Sequence, residues 1–113
     1  MDCIFCSIAD GSIPADKIYE DDNMVVFKDL NPQAPIHLLA IPKAHISSNN
    51  EVNSENSFVI GKIFEVIAKI AKEQGFYEDG YRIVNNCGVH GGQTVGHLHY
   101  HVLAGRNLQW PPG

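Results

Sequence analysis

Val95 to Arg106 reads VGHLHYHVLAGR, with histidines at 97, 99 and 101 and apolar residues between and after them. Along an extended strand successive side chains point to opposite faces. The three imidazoles then share one face, while Leu98, Tyr100 and Val102 share the other. The apolar set is expected in a core and the imidazoles along a surface. Three readings of that histidine face stay open from the residues themselves: a polar strand face, a metal platform and a nucleophilic centre. Same-face neighbours lie roughly 6.5 to 7 Å apart, so two of the three rings can share an ion but not all three. A neutral imidazole attacks an electrophile well when its second nitrogen is held by an acceptor and its approach line is fixed. The central residue, His99, meets that description.

Just upstream, NNCGVHGGQTVG (residues 85–96) carries four glycines in a dozen residues and is expected to be a loop. Gly92, Gln93 and Thr94 offer open backbone N–H groups, an amide and a hydroxyl, all suited to phosphate oxygens. Further out, NMVVFKDL, IHLLAIP and GYRIVNN have the β-branched and aromatic content of strands. Between Ser54 and Gln74, Val59, Ile63, Val66, Ile67 and Ile70 recur at helical spacing; Ser54 or Asn53 is the expected cap and Gly75 the stop. Cys3 to Ala9 reads as a short helix ended by Gly11 and Pro14. The resulting order, strand, strand, helix, strand, strand, predicts an α+β fold: an antiparallel sheet with the long helix on one face.

The chain has 113 residues, 44% of them hydrophobic, and a formal net charge of -5. That length predicts one domain, residues 1–113. The acidic balance argues against binding long nucleic acids, and the hydrophobic stretches are broken by lysine and glutamate, so neither a membrane span nor a signal peptide is expected. A cytoplasmic location follows as the expectation. The three cysteines, Cys3, Cys6 and Cys87, do not suggest a disulfide framework. Cys3-x-x-Cys6 is either a pair of buried thiols or half of a metal site, for which His45 and His97 are candidate partners.

HLHYHVL resembles the signature of the histidine triad (HIT) family, His-φ-His-φ-His-φ-φ with φ hydrophobic, at all seven places. IPADKIYEDD, NPQAPIHLLAIPKAHI, GYRIVNN, GGQTV and GRNLQWPPG are similar to its Hint branch, the purine nucleoside phosphoramidase group. The resemblance implies a HIT-like fold of about five antiparallel strands, one long helix and a short N-terminal helix. It also implies a homodimer acting on a purine nucleotide, AMP-like, without an organic cofactor. His99 would attack the α-phosphorus of an adenosine 5'-phosphoramidate and form a nucleotidyl-histidine that water hydrolyses, with His101 and His37 supporting it.

By the same resemblance Asp29 would hold the ribose hydroxyls, and Asn86, Gly92, Gln93 and Thr94 would surround the phosphate and leaving group. Phe5, Ile8, Ile13, Phe27 and Leu30 would line the base cleft, and Trp110 would reach toward a partner's site. Some bacterial members resembling this pattern hold a structural zinc between two N-terminal cysteines and two histidines, here Cys3, Cys6, His45 and His97. Tyr100 stands where an aliphatic residue is common. The rival readings are a hydrolase or transferase for dinucleoside polyphosphates or other nucleotidyl esters, a nucleotide-binding scaffold, and a zinc-dependent hydrolase.

Overall fold

The structure is a computed structural model that describes residues 3–113; Met1 and Asp2 of the expected domain lie outside the described residues. Its elements are α1 (Ile4–Ala9), β1 (Lys17–Glu20), β2 (Met24–Lys28), β3 (Ile36–Pro42), a 3-10 turn (Asn49–Glu51), α2 (Ser57–Gln74), β4 (Tyr81–Val84), α3 (Gly88–Gly91) and β5 (Tyr100–Ala104). The five strands form one antiparallel sheet in the order β1-β2-β3-β5-β4. The last strand therefore inserts between β3 and β4 and becomes an interior strand. This places its histidine face beside His37.

Both faces of the sheet are covered. On one, Val59, Ile63, Ile67 and Ile70 of α2 pack with Met24, Val26, Leu38, Ala40, Leu98, Tyr100 and Val102. Each such aliphatic side chain, fully buried, contributes about 1.5–3 kcal/mol. On the other face Phe5, Ile8 and Ala9 of α1 pack with Val25, Phe27, Leu39 and Ile41. The alternation of HLHYHVL is thus realised. Leu98, Tyr100 and Val102 enter the α2 core, and the histidines face the α1 side, where Phe5 packs on His99 and His101 adjoins it.

Several details differ from the sequence-based expectation. Lys17–Glu20 is the fifth strand, which the family resemblance implied and the residue pattern lacked; it is only four residues long, half-buried, and its register shifts between Lys17 and Tyr19. The α2 cap is Asn56, whereas Asn53 accepts the N–H groups of Glu55 and Asn56 in the turn before the helix. Gly75 ends α2 with φ +83°, as a left-handed stop requires. The glycine-rich segment contains one helical turn, α3, closed by Gly92 at φ +76°. The strand ladder begins only at Tyr100, so His97 and His99 precede it in an irregular segment. Both are also buried, at 0% and 4% exposure, rather than lying along an open surface. Among the described residues no helix is long and apolar enough to cross a membrane.

Candidate functional site

His37 on β3 and His101 on β5 face the same side of the sheet as diagonal neighbours, because Leu39 pairs with His101 and His37 with Leu103. The N–H of Gln33 donates to His37 Nδ1 at 3.0 Å, which leaves the ring proton on Nε2. His37 Nε2–H in turn donates to His101 Nδ1 at 2.9 Å, so the His101 proton sits on Nε2. Burial, and then its neighbours His99 and His37, push His101 down to about 4, keeping it neutral at ordinary pH. His37 is also pushed down by burial, against the pull of Asp29.

His99 is held differently. Its Nδ1–H donates to the main-chain carbonyl of His97 at 2.8 Å, leaving the lone pair on Nε2. Asn85 Nδ2–H donates to the His99 carbonyl at 2.9 Å, and Phe5 packs edge-on against the ring at 5.2 Å. His99 and His101 line a cleft of about 310 Å³ together with Phe5, Ile8, Ile13, Phe27, Asp29, Leu30, Thr94 and Val95. An oriented imidazole that lines an apolar pocket with one nitrogen unspent can attack an electrophile presented there.

Of the residues assigned to the phosphate and ribose, some have partners already. Asp29 Oδ1 accepts the Asn31 N–H at 2.8 Å in a turn, while Oδ2 lies 3.4 Å from His37 Nε2. Gln93 donates through Nε2 to the carbonyls of Ser47 and Val95, and its Oε1 accepts the Gly88 N–H. The amide is therefore a brace that ties the glycine-rich turn to the Ser47 segment, not a free donor. The Gly92 and Gln93 N–H groups close the turn onto Val89 and Gly88. Thr94 does line the cleft, whereas Asn86 lies across His101 in a second hollow shared with Gln33, Arg82 and Pro112. Leu30, 98% exposed, forms the rim, and Trp110, 80% exposed, stays outside the cleft and near Arg82.

The second cluster joins Cys3, Cys6, His45 and His97, whose ligand atoms all lie within 4.8 Å of one another. His97 Nε2–H donates to the Pro42 carbonyl at 2.8 Å, so its Nδ1 lone pair points into the cluster. That nitrogen is 3.2 Å from His45 Nδ1, 3.3 Å from Cys3 Sγ and 3.5 Å from Cys6 Sγ. A tetrahedral zinc with ordinary bond lengths would set nitrogen–nitrogen and sulfur–nitrogen separations of about 3.4 and 3.5 Å. The donor set and its spacing fit that ion. Burial and the adjacent Cys3 push the Cys6 thiol up, so a cation is what would release its proton. Asp29, His37 and His101 also lie close together, but the proton on His37 Nε2 is already given to His101, and the trio is a hydrogen-bonded chain.

The residue reading missed Asn85, the donor to the His99 carbonyl, although it named its neighbour Asn86; strand parity at the end of β4 is the signal that separates them. It also missed Gln33, Val95 and the main-chain carbonyls of His97 and Pro42, which side-chain motifs do not display.

A family model described as scavenger mRNA decapping enzyme C-term binding matches residues 2–109. The purine nucleoside phosphoramidase of Escherichia coli is 46% identical over 105 residues, covering 93% of this chain and 88% of its own length. A HIT family hydrolase from Legionella pneumophila superposes with a TM-score of 0.96 at 48% identity, covering 99% of this chain and 100% of its own. A zinc-bound histidine triad family protein from Mycobacterium smegmatis superposes with a TM-score of 0.80 at 37% identity, covering 95% and 77%.

Proposed function

The chain belongs to the histidine triad family, and from that premise we propose that it is a hydrolase of nucleoside phosphoramidates, working through a nucleotidyl-His99 intermediate. The observation that carries the reading is the His99 tautomer: Nδ1–H is held by the His97 carbonyl, and the ring lines a cleft with its Nε2 lone pair unspent.

In the first step His99 Nε2 forms a bond to the α-phosphorus as the P–N bond breaks, and the leaving amine takes a proton from solvent. The positive charge on the substituted ring is stabilised by the His97 carbonyl that accepts Nδ1–H. His101, with its proton on Nε2, donates to a phosphate oxygen, and His37 keeps it in that tautomer. In the second step water attacks phosphorus, His99 Nε2 leaves, and AMP is released with the proton that balances the first step. Dividing the displacement in two is what a nucleophilic side chain contributes.

In this reading the base enters the apolar part of the cleft, among Phe5, Ile8, Ile13 and Phe27 with Leu30 at the rim. Asp29 Oδ2 meets the ribose, and Thr94 with the Gly92–Gln93 turn flanks the phosphate. Asn86 lies on the leaving-group side, and in a homodimer Trp110 serves the partner's site. The Cys3, Cys6, His45 and His97 group holds zinc, which supplies structure and takes no part in the bond changes. Three cysteines outside any disulfide suit a reducing compartment, the cytoplasm.

The test is to mix the protein with an AMP–amine conjugate, quench at short times, and map the adenylylated residue by mass spectrometry. Label on His99 with release of AMP is expected; label elsewhere, or none during turnover, would remove the mechanism. Faster turnover of a P–O–P dinucleotide than of the P–N conjugate would move the assignment to a dinucleoside polyphosphate hydrolase.

A further inference from the structure

We infer that Cys3, Cys6 and His45, acting through His97, form a clamp that positions the nucleophile and one wall of its cleft, so that the metal cluster and the catalytic imidazole work as one unit. The inference rests on the proposed role of His99 and concerns what aims that ring.

His97 sits between the two clusters. Its Nδ1 faces Cys3, Cys6 and His45, its Nε2–H is tied to Pro42, and its carbonyl receives the His99 Nδ1–H. The carbonyl lies before the start of the β5 ladder, where no strand pairing directs it. The backbone there is anchored by Leu98 N–H on the Ile46 carbonyl and by Asn85 on the His99 carbonyl. The His97 carbonyl and the Leu98 N–H share one planar peptide, so its direction is set by the Leu98 bond to the Ile46 carbonyl and by the buried His97 ring. Ile46 directly follows His45, so whatever holds His45 and the His97 ring also holds the acceptor that selects the His99 tautomer.

The same group governs α1. Cys3 caps this six-residue helix, accepting the Cys6 N–H on Sγ, and a helix so short does not hold itself together. Phe5, between the two cysteines, packs against both His97 and His99, with ring centroids 6.0 and 5.2 Å away. Ile4, Phe5 and Ile8 line the cleft. Opening the cluster would therefore loosen the wall that receives the base and free the carbonyl that holds Nδ1–H, an effect on both KM and kcat. A misplacement of about 1 Å at a reacting group costs on the order of a hundredfold in rate.

The experiment uses the full chain labelled with 15N in its histidines. Imidazole 15N shifts of His99, assigned against His99→Gln, are recorded with zinc bound and after chelation, and again in the double variant Cys6→Ser, His45→Gln, which alters the half-buried Cys6 and the exposed His45. Circular dichroism monitors the fold throughout. With zinc the Nδ1–H tautomer is expected alone. Without it, in a chain that keeps its helix signal, a mixture of tautomers is expected, with kcat lower by about a hundredfold and weaker AMP binding. An unchanged His99 tautomer in either zinc-free form would overturn the clamp. If chelation unfolds the chain, the double variant decides, and loss of folded signal in both forms would also overturn it, since the cluster would then hold the whole fold and not this site. Failure of the proposed function reads differently: the tautomer would respond to zinc while no nucleotidyl-histidine ever formed.

Discussion

The molecule contains two pairs of closely packed imidazoles that differ in where their protons lie. In the His37–His101 pair each ring donates or accepts in sequence, from Gln33 through His37 to His101. In the His45–His97 pair the His97 lone pair faces another ligand atom, because its proton has been drawn outward by Pro42. A chain of donors and acceptors is satisfied as it stands. Lone pairs that converge with two sulfurs are satisfied by a cation. Identical side chains thus acquire opposite chemistry from which nitrogen the surrounding backbone occupies. His99, bound to the His97 carbonyl, belongs to neither pattern and keeps its own Nε2 unspent.

The strongest way to break this division is to remove the unspent lone pair. His99→Ala is expected to lower release of AMP from an AMP–amine conjugate by on the order of 10⁴-fold, measured by chromatography of the product. Retention of most of the turnover would mean that the reacting nitrogen belongs to another ring.

A smaller effect is expected from emptying the convergent cluster. Chelation should lower the thermal unfolding midpoint by roughly 10 °C, as a bound ion stabilises only the folded chain. Re-addition of zinc should restore it. A midpoint indifferent to both treatments would place these four residues among ordinary buried groups.

The donor–acceptor chain can be sharpened with His37→Ala, which removes the donor to His101 Nδ1 and lets that ring choose its tautomer. The expected loss is about tenfold in kcat with little change in KM, read from steady-state kinetics. A change confined to KM would assign His37 to substrate binding.

The smallest effect concerns acid. His101 takes up a proton near 6.5 when unfolded but only near about 4 when folded, where His99, His37 and Asp29 face it. The unfolded chain binds more protons in that window, so folding stability should fall as pH drops from 6.5 toward 4 and be unaffected by this group above 7. Urea unfolding at several pH values measures the slope, and His101→Gln should flatten it. An unchanged slope in that variant would place the acid sensitivity on other groups.

Much of the architecture was legible before folding was considered. The alternation of HLHYHVL separated core from site, and the apolar stripe of α2 identified its buried face. The edge strand β1 was not visible, because four half-buried residues with a register shift carry no clear period. The α3 turn was hidden in glycines that argue for irregular backbone, and Gln93 looked like a free donor because its acceptors, Ser47 and Val95, are main-chain atoms.

Residue order alone thus determined which side chains share a face, since alternation along an extended backbone is a local property, and it carried the histidine triad signature. What each histidine can do was decided by the tertiary structure. The partners that set their protons are the backbone groups of Gln33, Pro42 and His97 and the ring of His37; Pro42 and His37 reach His97 and His101 from a distant segment through the insertion of β5 beside β3. A ring nitrogen becomes nucleophile, ligand or donor according to what its other nitrogen meets, and that is a property of assembled neighbours.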